Sequence, residues 1–445
     1  MRRTIRFLLE NSLFLILGAV GALIWANVDH ESYEHLVHAE IVSNPYIGVE
    51  EHPAPIGEAE STAKEAAGEA NEAAKTAGAA GAEITEEEPA DDHGGGKVIT
   101  LHFLINDILM ALFFAIAGKE VWEATLPGGP LSNPKTAATP LIATFGGMAG
   151  PALVFVLGAA MVGQFSDLSH GWAIPCATDI AFSYMVARLV FGAGHPAIPF
   201  LLLLAIADDA LGLVILAVFY PQGEISFLWL SLAIVAVVMG LALRKARVKS
   251  FWPYLLGPGV ISWVGFAMGG LHPALGLLPI IPTLPHAHVD TGLFDWSAME
   301  EDDTLSQFEH WWKNPVELIL GAFGLLNAGV VMSSVGTPTY LVLMGLLVGK
   351  PLGIWLFGML AAKGLKFGLP KGMNSKDLFV VGCAGGIGFT VALFVASVAF
   401  KKDLHVLDAA KMGALLSFGA AIVTLIAGKM CGVVKVVAAD NGKGH

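Results

Sequence analysis

Apolar residues in this chain gather in runs of about 20, the length a helix needs to cross a bilayer core. Twelve such runs can be marked, centred near Gly18, Met110, Leu153, Thr178, Ala210, Ile234, Val260, Leu277, Gly321, Leu347, Ile387 and Ala420. The strict alternation of a membrane β-barrel is absent. The pattern predicts an all-α polytopic membrane protein of about twelve transmembrane helices. The seventh and eighth runs are the weakest, because "GGLHPALGLLPIIP" is short and interrupted by Pro273 and Pro279.

The polar stretches between the runs divide the chain. Residues 1–49 hold an N-terminal tail, the first span and the start of an external loop. Residues 50–96 are rich in Ala, Glu and Gly with almost no large apolar side chain, a composition that cannot bury a core and predicts disorder. Residues 97–284 carry spans two to eight, 285–310 an acidic loop, 311–433 spans nine to twelve, and 434–445 a tail. The first run follows a basic start, as in a signal peptide, but it is long and no small-x-small cleavage site follows, so it reads as an uncleaved span. Arg2, Arg3 and Arg6, "RKARVK" and "KGLKFGLPKGMNSK" fall on one side, which should be cytoplasmic. Both termini are then cytoplasmic. The acidic loop "HVDTGLFDWSAMEEDD" falls on that side too, against the trend, but Asp and Glu contribute little to the rule.

Composition agrees with the pattern. Only 14% of the 445 residues are charged, against about 25% in a soluble protein. Net charge is -13, which makes nucleic acid an improbable partner. Cys176, Cys383 and Cys431 lie in or near apolar segments without metal-ligand spacing and read as small core residues.

Four ionisable residues sit deep inside the runs: Asp179, Asp208, Asp209 and Lys350. Each charge at a helix centre costs about 2.5–3.5 kcal/mol on insertion scales, so such residues face a cavity or one another. One Asp–Lys pair used as structural glue would account for two of them and leave two acids unexplained, which favours a cation pathway. Adjacent helical residues point about 100° apart. One member of the Asp208–Asp209 pair can therefore meet Lys350 while the other faces a cavity. Repulsion between neighbouring carboxylates favours a proton on one of them, so a proton and a metal cation can compete for the same oxygens. Carboxylate oxygens suit hard cations.

Two spans are expected to break. Asp179 lies in "AIPCATDIAFS", where Pro175 removes a backbone donor and Thr178 offers a competing hydroxyl. The eleventh span crowds Gly382, Gly385, Gly386 and Gly388 into one region, which suits either close helix packing or a break. The two spans are the middle members of two triplets, spans three to five and ten to twelve. Interrupted helices at corresponding places are a pointer to an inverted-repeat transporter, with Asp179 and Lys350 offsetting the half-helix dipoles.

"GWAIPCATDIAFS", "LLLLAIADDALGLVILAVFY", "LLVGKPLGIWLF" and "GGIGFTVALFVASVAF" together resemble the NhaA family of bacterial Na+/H+ antiporters. "NDILMALFFAIAGKEV" and "FGLLNAGV" resemble further family segments, and the likeness covers nearly all of the chain outside the acidic insertion. It implies two broken, crossing helices at spans four and eleven, and a cytoplasmic funnel reaching the aspartates. It implies Asp209 as the central Na+ or Li+ ligand beside Asp208, Asp208 as the partner of Lys350, and Thr178 and Asp179 in the unwound region. It places a pH-response cluster at Glu120, Glu309 and His310, and links His272 to the same response. As a lone histidine near a span end, His272 reads first as structural. Asn106 reads as a helix–helix hydrogen bond; Asp107 either lines the funnel or holds the second span. The implied activity is electrogenic exchange in the inner membrane for sodium and pH homeostasis. It is secondary transport rather than an enzyme's reaction, needs no cofactor, and is carried by a chain that can pair into a homodimer. Departures from the family pattern include Glu123, where a basic residue is common, and Ala210–Leu211 directly after the aspartates. Two other classes fit less of the sequence. A Na+-coupled solute symporter would need a legible solute pocket. An intramembrane aspartyl protease would join Asp179 to Asp208 or Asp209, but leaves Lys350 without a role.

Overall fold

The computed structural model describes residues 13–44, 48–50, 97–286, 303–401 and 403–436. The acidic segment beyond Glu50, most of the loop before span nine and both chain ends lie outside the described residues. The chain divides into two units. The smaller, residues 38–103, holds β1 (Glu40–Asn44), β2 (Val49–Glu50) and β3 (Lys97–Thr100), an antiparallel sheet in the order β1-β3-β2. The larger is helical and contains every other element described below.

Its helices follow the sequence pattern. They are α1 (Leu13–Val28), α2 (His30–Val37), α3 (Leu101–Thr125, whose first turn belongs to the small unit), α4 (Thr136–Met161), α5 (Phe165–Cys176), α6 (Ile180–Phe191), α7 (Ala197–Phe219), α8 (Phe227–Lys245), α9 (252–268), α10 (Pro273–Thr283), α11 (Thr304–Asn327), α12 (Thr337–Gly364), α13 (Ser375–Gly385), α14 (Phe389–Ala399) and α15 (Leu404–Cys431). Among the described residues, six of these are single helices long and apolar enough to cross a membrane: α3, α4, α7, α8, α12 and α15. Two further spans are bent pairs, α5–α6 at 55° and α13–α14 at 52°. The other four runs of the sequence pattern are helical but shorter or more polar: α1, α9, α10 and α11. In α10, Pro273, Pro279 and Pro282 confine the backbone to tight three-residue turns.

The outer faces are apolar, as a multi-pass membrane protein requires. On α8, Ile234, Val235 and Val238 are exposed, and Ala236 and Gly240 are its buried positions. One end of the helical body carries a belt of Trp252, Trp311 and Trp312, near which α8 ends in Arg244 and Lys245. Aromatic and basic residues gather in this way at a membrane–water boundary.

Two triplets repeat one plan, a continuous helix, a broken helix and a continuous helix: α4, α5–α6, α7 and α12, α13–α14, α15. The triplets meet where α4 packs on α12 through glycine. A Cβ at Gly353 would stand 2.0 Å from the Gly146 carbonyl oxygen, and one at Gly150 2.3 Å from that of Gly349. Glycine is required there because the two backbones touch. On another flank α1 packs on α11 through Gly18 and Gly321. The Tyr33 hydroxyl of α2 closes that flank, donating to the Leu325 carbonyl at 3.0 Å and accepting from the Gly329 amide at 3.1 Å.

Candidate functional site

The two breaks cross each other. In the first, Ala177 and Asp179 are extended between Cys176 and Ile180; in the second, residues 386–388 separate α13 from α14. Each break leaves backbone groups that its own helix cannot satisfy, and the other break supplies partners. The Asp179 amide donates to the Ile387 carbonyl at 2.7 Å. The Thr178 hydroxyl donates to the Gly385 carbonyl at 3.2 Å, and the Ser183 hydroxyl to that of Ala384 at 2.9 Å. A Cβ at Gly388 would lie 2.9 Å from the Ala177 carbonyl oxygen, so the crossing needs glycine there.

Charge completes the crossing. The helix starts at Ile180 and Phe389 present amides and the positive ends of their dipoles. Asp179 answers both, accepting from the Phe182 amide at 3.4 Å and the Thr390 amide at 3.3 Å, and also from the Thr390 hydroxyl. At the opposite kind of end, the Cys176 carbonyl closing α5 accepts from the Lys350 ammonium. The sequence assigned these opposite duties to Asp179 and Lys350. Thr390 was missed, since a threonine within an apolar run carries no signal of its own.

Asp208 and Asp209 sit midway along α7 and diverge. Lys350 is fully buried and donates to Asp208 Oδ2 at 2.8 Å. The other oxygen of Asp208, Oδ1, is buried without a hydrogen-bond partner among the described residues. Asp209 turns to the other side. Its Oδ1 is buried and has no hydrogen-bond partner among the described residues. Its carboxylate borders a small cavity of about 10 Å³, lined by Phe113, Phe114 and Ala117 of α3, Ala177 of the first break, Gly212, Leu213 and Leu216 of α7, and Val391 of α14. The site therefore contains one committed carboxylate, one uncommitted carboxylate and a cavity at the uncommitted one.

The family model described as Na+/H+ antiporter 1 matches residues 83–435. The chain belongs to that family. Among curated relatives, the Na(+)/H(+) antiporter NhaA of Jannaschia sp. (strain CCS1) is 50% identical, covering 98% of this chain and 99% of the relative. The antiporters of the same name from Desulfitobacterium hafniense (strain DSM 10664 / DCB-2) and Geobacter metallireducens are 42% and 43% identical, each over 98% of this chain and 98% and 100% of the relative.

The residues that family likeness linked to pH response fall in two places. Toward the tryptophan belt, Lys119 of α3 is buried and paired with Glu123 and with Glu309 of α11. Glu120, next to Lys119 on α3, is half-buried. His310 is on the same helix but exposed. Lys119 was passed over in the sequence because it adjoins Glu120 near a span end and reads as an interfacial charge. Toward the other end of α3, His272 Nδ1 accepts from the Ala274 amide at 3.3 Å, a capping role, and lies 3.7 Å from Asp107 Oδ1. Asn106 forms the helix–helix bond expected of it, a reciprocal amide pair with Asn327 at 3.0 and 2.9 Å.

Proposed function

We propose that this chain is a secondary transporter that expels Na+, and Li+, in exchange for protons, and that the two compete for Asp209. The observation that carries this reading is the uncommitted Asp209 carboxylate on a cavity, one residue from a carboxylate already neutralised by Lys350. An anionic oxygen buried without a partner is costly unless a cation or a proton joins it. Either occupant removes the charge, and both cannot hold the same oxygens at once. The neighbouring Ala177 and Thr178 belong to unwound backbone, which is the usual source of further oxygen ligands for a transported cation.

The reading extends to electrogenic exchange. One Na+ removes one positive charge, whereas Asp209 together with a second acid, Asp179 or Asp208, can take up more than one proton when the cation leaves. The basic residues beside the tryptophan belt favour a cytoplasmic location for that end of α3, with both termini cytoplasmic in a bacterial inner membrane. The path from the cytoplasm then passes Glu120 and Lys119 to Asp209. An aspartyl-protease reading, which joins Asp179 to Asp208 or Asp209, finds no support in this geometry, because Asp208 is bound to an ammonium and Asp179 is held by the Phe182 and Thr390 amides and the Thr390 hydroxyl, which leaves neither free to form a water-activating pair.

Inverted membrane vesicles carrying a fluorescent reporter of the pH gradient test the reading. Na+ or Li+ should collapse the gradient with the unaltered chain and fail to do so with Asp209→Asn, which retains shape but loses the charge. An Asp209→Asn protein that still collapses the gradient would overturn the assignment of the site.

A further inference from the structure

The cavity face of α7 follows helical spacing. Asp209, Gly212, Leu213 and Leu216 stand at i, i+3, i+4 and i+7, on one side of the helix. Gly212 is the unexplained member of this row. It lies inside α7 and is not among the glycines with positive φ, so the backbone does not call for it. A glycine inside a helix costs stability relative to alanine and needs a reason. Close packing supplies the reason elsewhere: a Cβ at Gly353 or Gly150 would meet a carbonyl of the facing helix. At Gly212 it would meet nothing within 4 Å. The open space is not taken by a neighbouring helix, and Gly212 borders the cavity one turn from the Asp209 carboxylate. The cavity is about 10 Å³, close to the least volume that holds one water. The side chains of Phe113, Phe114, Ala117, Leu213, Leu216 and Val391 around it carry no oxygen or nitrogen.

We propose that Gly212 sets the size of the cation that Asp209 accepts: its absent side chain is the room in which a Na+ or Li+ ion sits against the carboxylate. In so small a space the occupant arrives without most of its hydration shell. The choice among hard cations of one charge then falls to the room beside the oxygens. Side chains on a helix lean toward its N-terminus, so a methyl group at position 212 would point along α7 toward Asp209. It would take part of the room without touching a packed atom. Na+ is larger than Li+ and loses more by this. A proton binds on an oxygen and needs no such room. The inference rests on reading Asp209 as the exchange site.

Paired saturation curves test this. Half-saturating Na+ and Li+ are measured for the unaltered chain and for Gly212→Ala, by gradient collapse in inverted vesicles and by titration calorimetry on the purified protein. Gly212→Ala should raise the Na+ value relative to the Li+ value by about tenfold, the lower end of what one carbon changes in a fitted pocket. Leu213→Val takes a carbon from the same wall and should move the ratio the opposite way. Thermal unfolding of Gly212→Ala should begin no lower than that of the unaltered chain, because the methyl group displaces nothing. Na+ and Li+ values that shift by one common factor, or not at all, overturn the proposal. So does a Gly212→Ala chain that fails to reach the membrane, since the room would then be absent. The two readings fail separately. A ratio that shifts in calorimetry, with no collapse of a pH gradient by Na+ in the unaltered chain, keeps the role of Gly212 and removes the antiport reading. Antiport with an unshifted ratio removes the role of Gly212 alone.

Discussion

Asp208 and Asp209 are one residue apart and have opposite fates, because one helical step turns a side chain by about 100°. That step points Asp208 at Lys350 and Asp209 at the cavity. The division was legible in the sequence as a necessity, since three acids and one base cannot pair off; which aspartate took which role came only from resemblance until the 2.8 Å contact assigned it. Lys119 and Thr390 were not legible. A lysine beside a glutamate near a span end looks solvated, and a threonine in an apolar run looks inert, until a partner from a distant helix is present. The two residues that offset the half-helix ends should differ in what their loss costs. Lys350→Ala strands a buried carboxylate and should cost about 3–5 kcal/mol. Asp179→Ala removes capping bonds and should cost about 0.5–2 kcal/mol. Thermal unfolding in detergent should therefore place Lys350→Ala well below Asp179→Ala, and coincident midpoints would contradict the buried pair.

Among the elements, the two broken helices were the most readable, because Pro175 and the glycines of residues 382–388 are direct backbone chemistry. The small unit's sheet was not anticipated, as its strands flank the acidic segment and are too short to show a period. The glycine run in the eleventh span allowed either packing or a break, and both occur. Gly382 packs on the backbone of Pro351, whereas Gly388 sits in the break. Glycines elsewhere differ by what surrounds them, and this yields a paired prediction. At Gly353 a methyl group would meet backbone at 2.0 Å, so Gly353→Ala must push α4 and α12 apart at a cost of about 1–3 kcal/mol. At Gly419 nothing lies within 4 Å of the added atom, and Gly419→Ala should be neutral or stabilise by about 0.4–1 kcal/mol through a less flexible unfolded chain. Unfolding midpoints of the two variants should move in opposite directions or only the first should move.

At the scale of the molecule, the cavity at Asp209 lies on a seam. Asp209, Ala177 and Val391 come from the two triplets, and Phe113, Phe114 and Ala117 come from α3, which is tied instead to α11 through Lys119–Glu309 and Asn106–Asn327. Within the triplets, touching glycine backbones and the crossed breaks leave little freedom, because interiors this closely packed switch between discrete arrangements rather than deform. The seam is packed differently, by side chains around a void. Alternating access is therefore expected to occur by the triplets moving as one body against α3 and α11, with Asp209 carried from one face of the seam toward the other. Freezing the seam should stop exchange without disturbing the site. Ala117→Cys on α3 and Val391→Cys on α14 both line the cavity, and a short reducible bridging reagent should link them. Linked protein should fail to collapse a pH gradient on Na+ addition, and reductant should restore the response. Each single-cysteine variant treated alike should keep it. Linked protein that exchanges at the unlinked rate would show that the moving boundary lies elsewhere in the bundle.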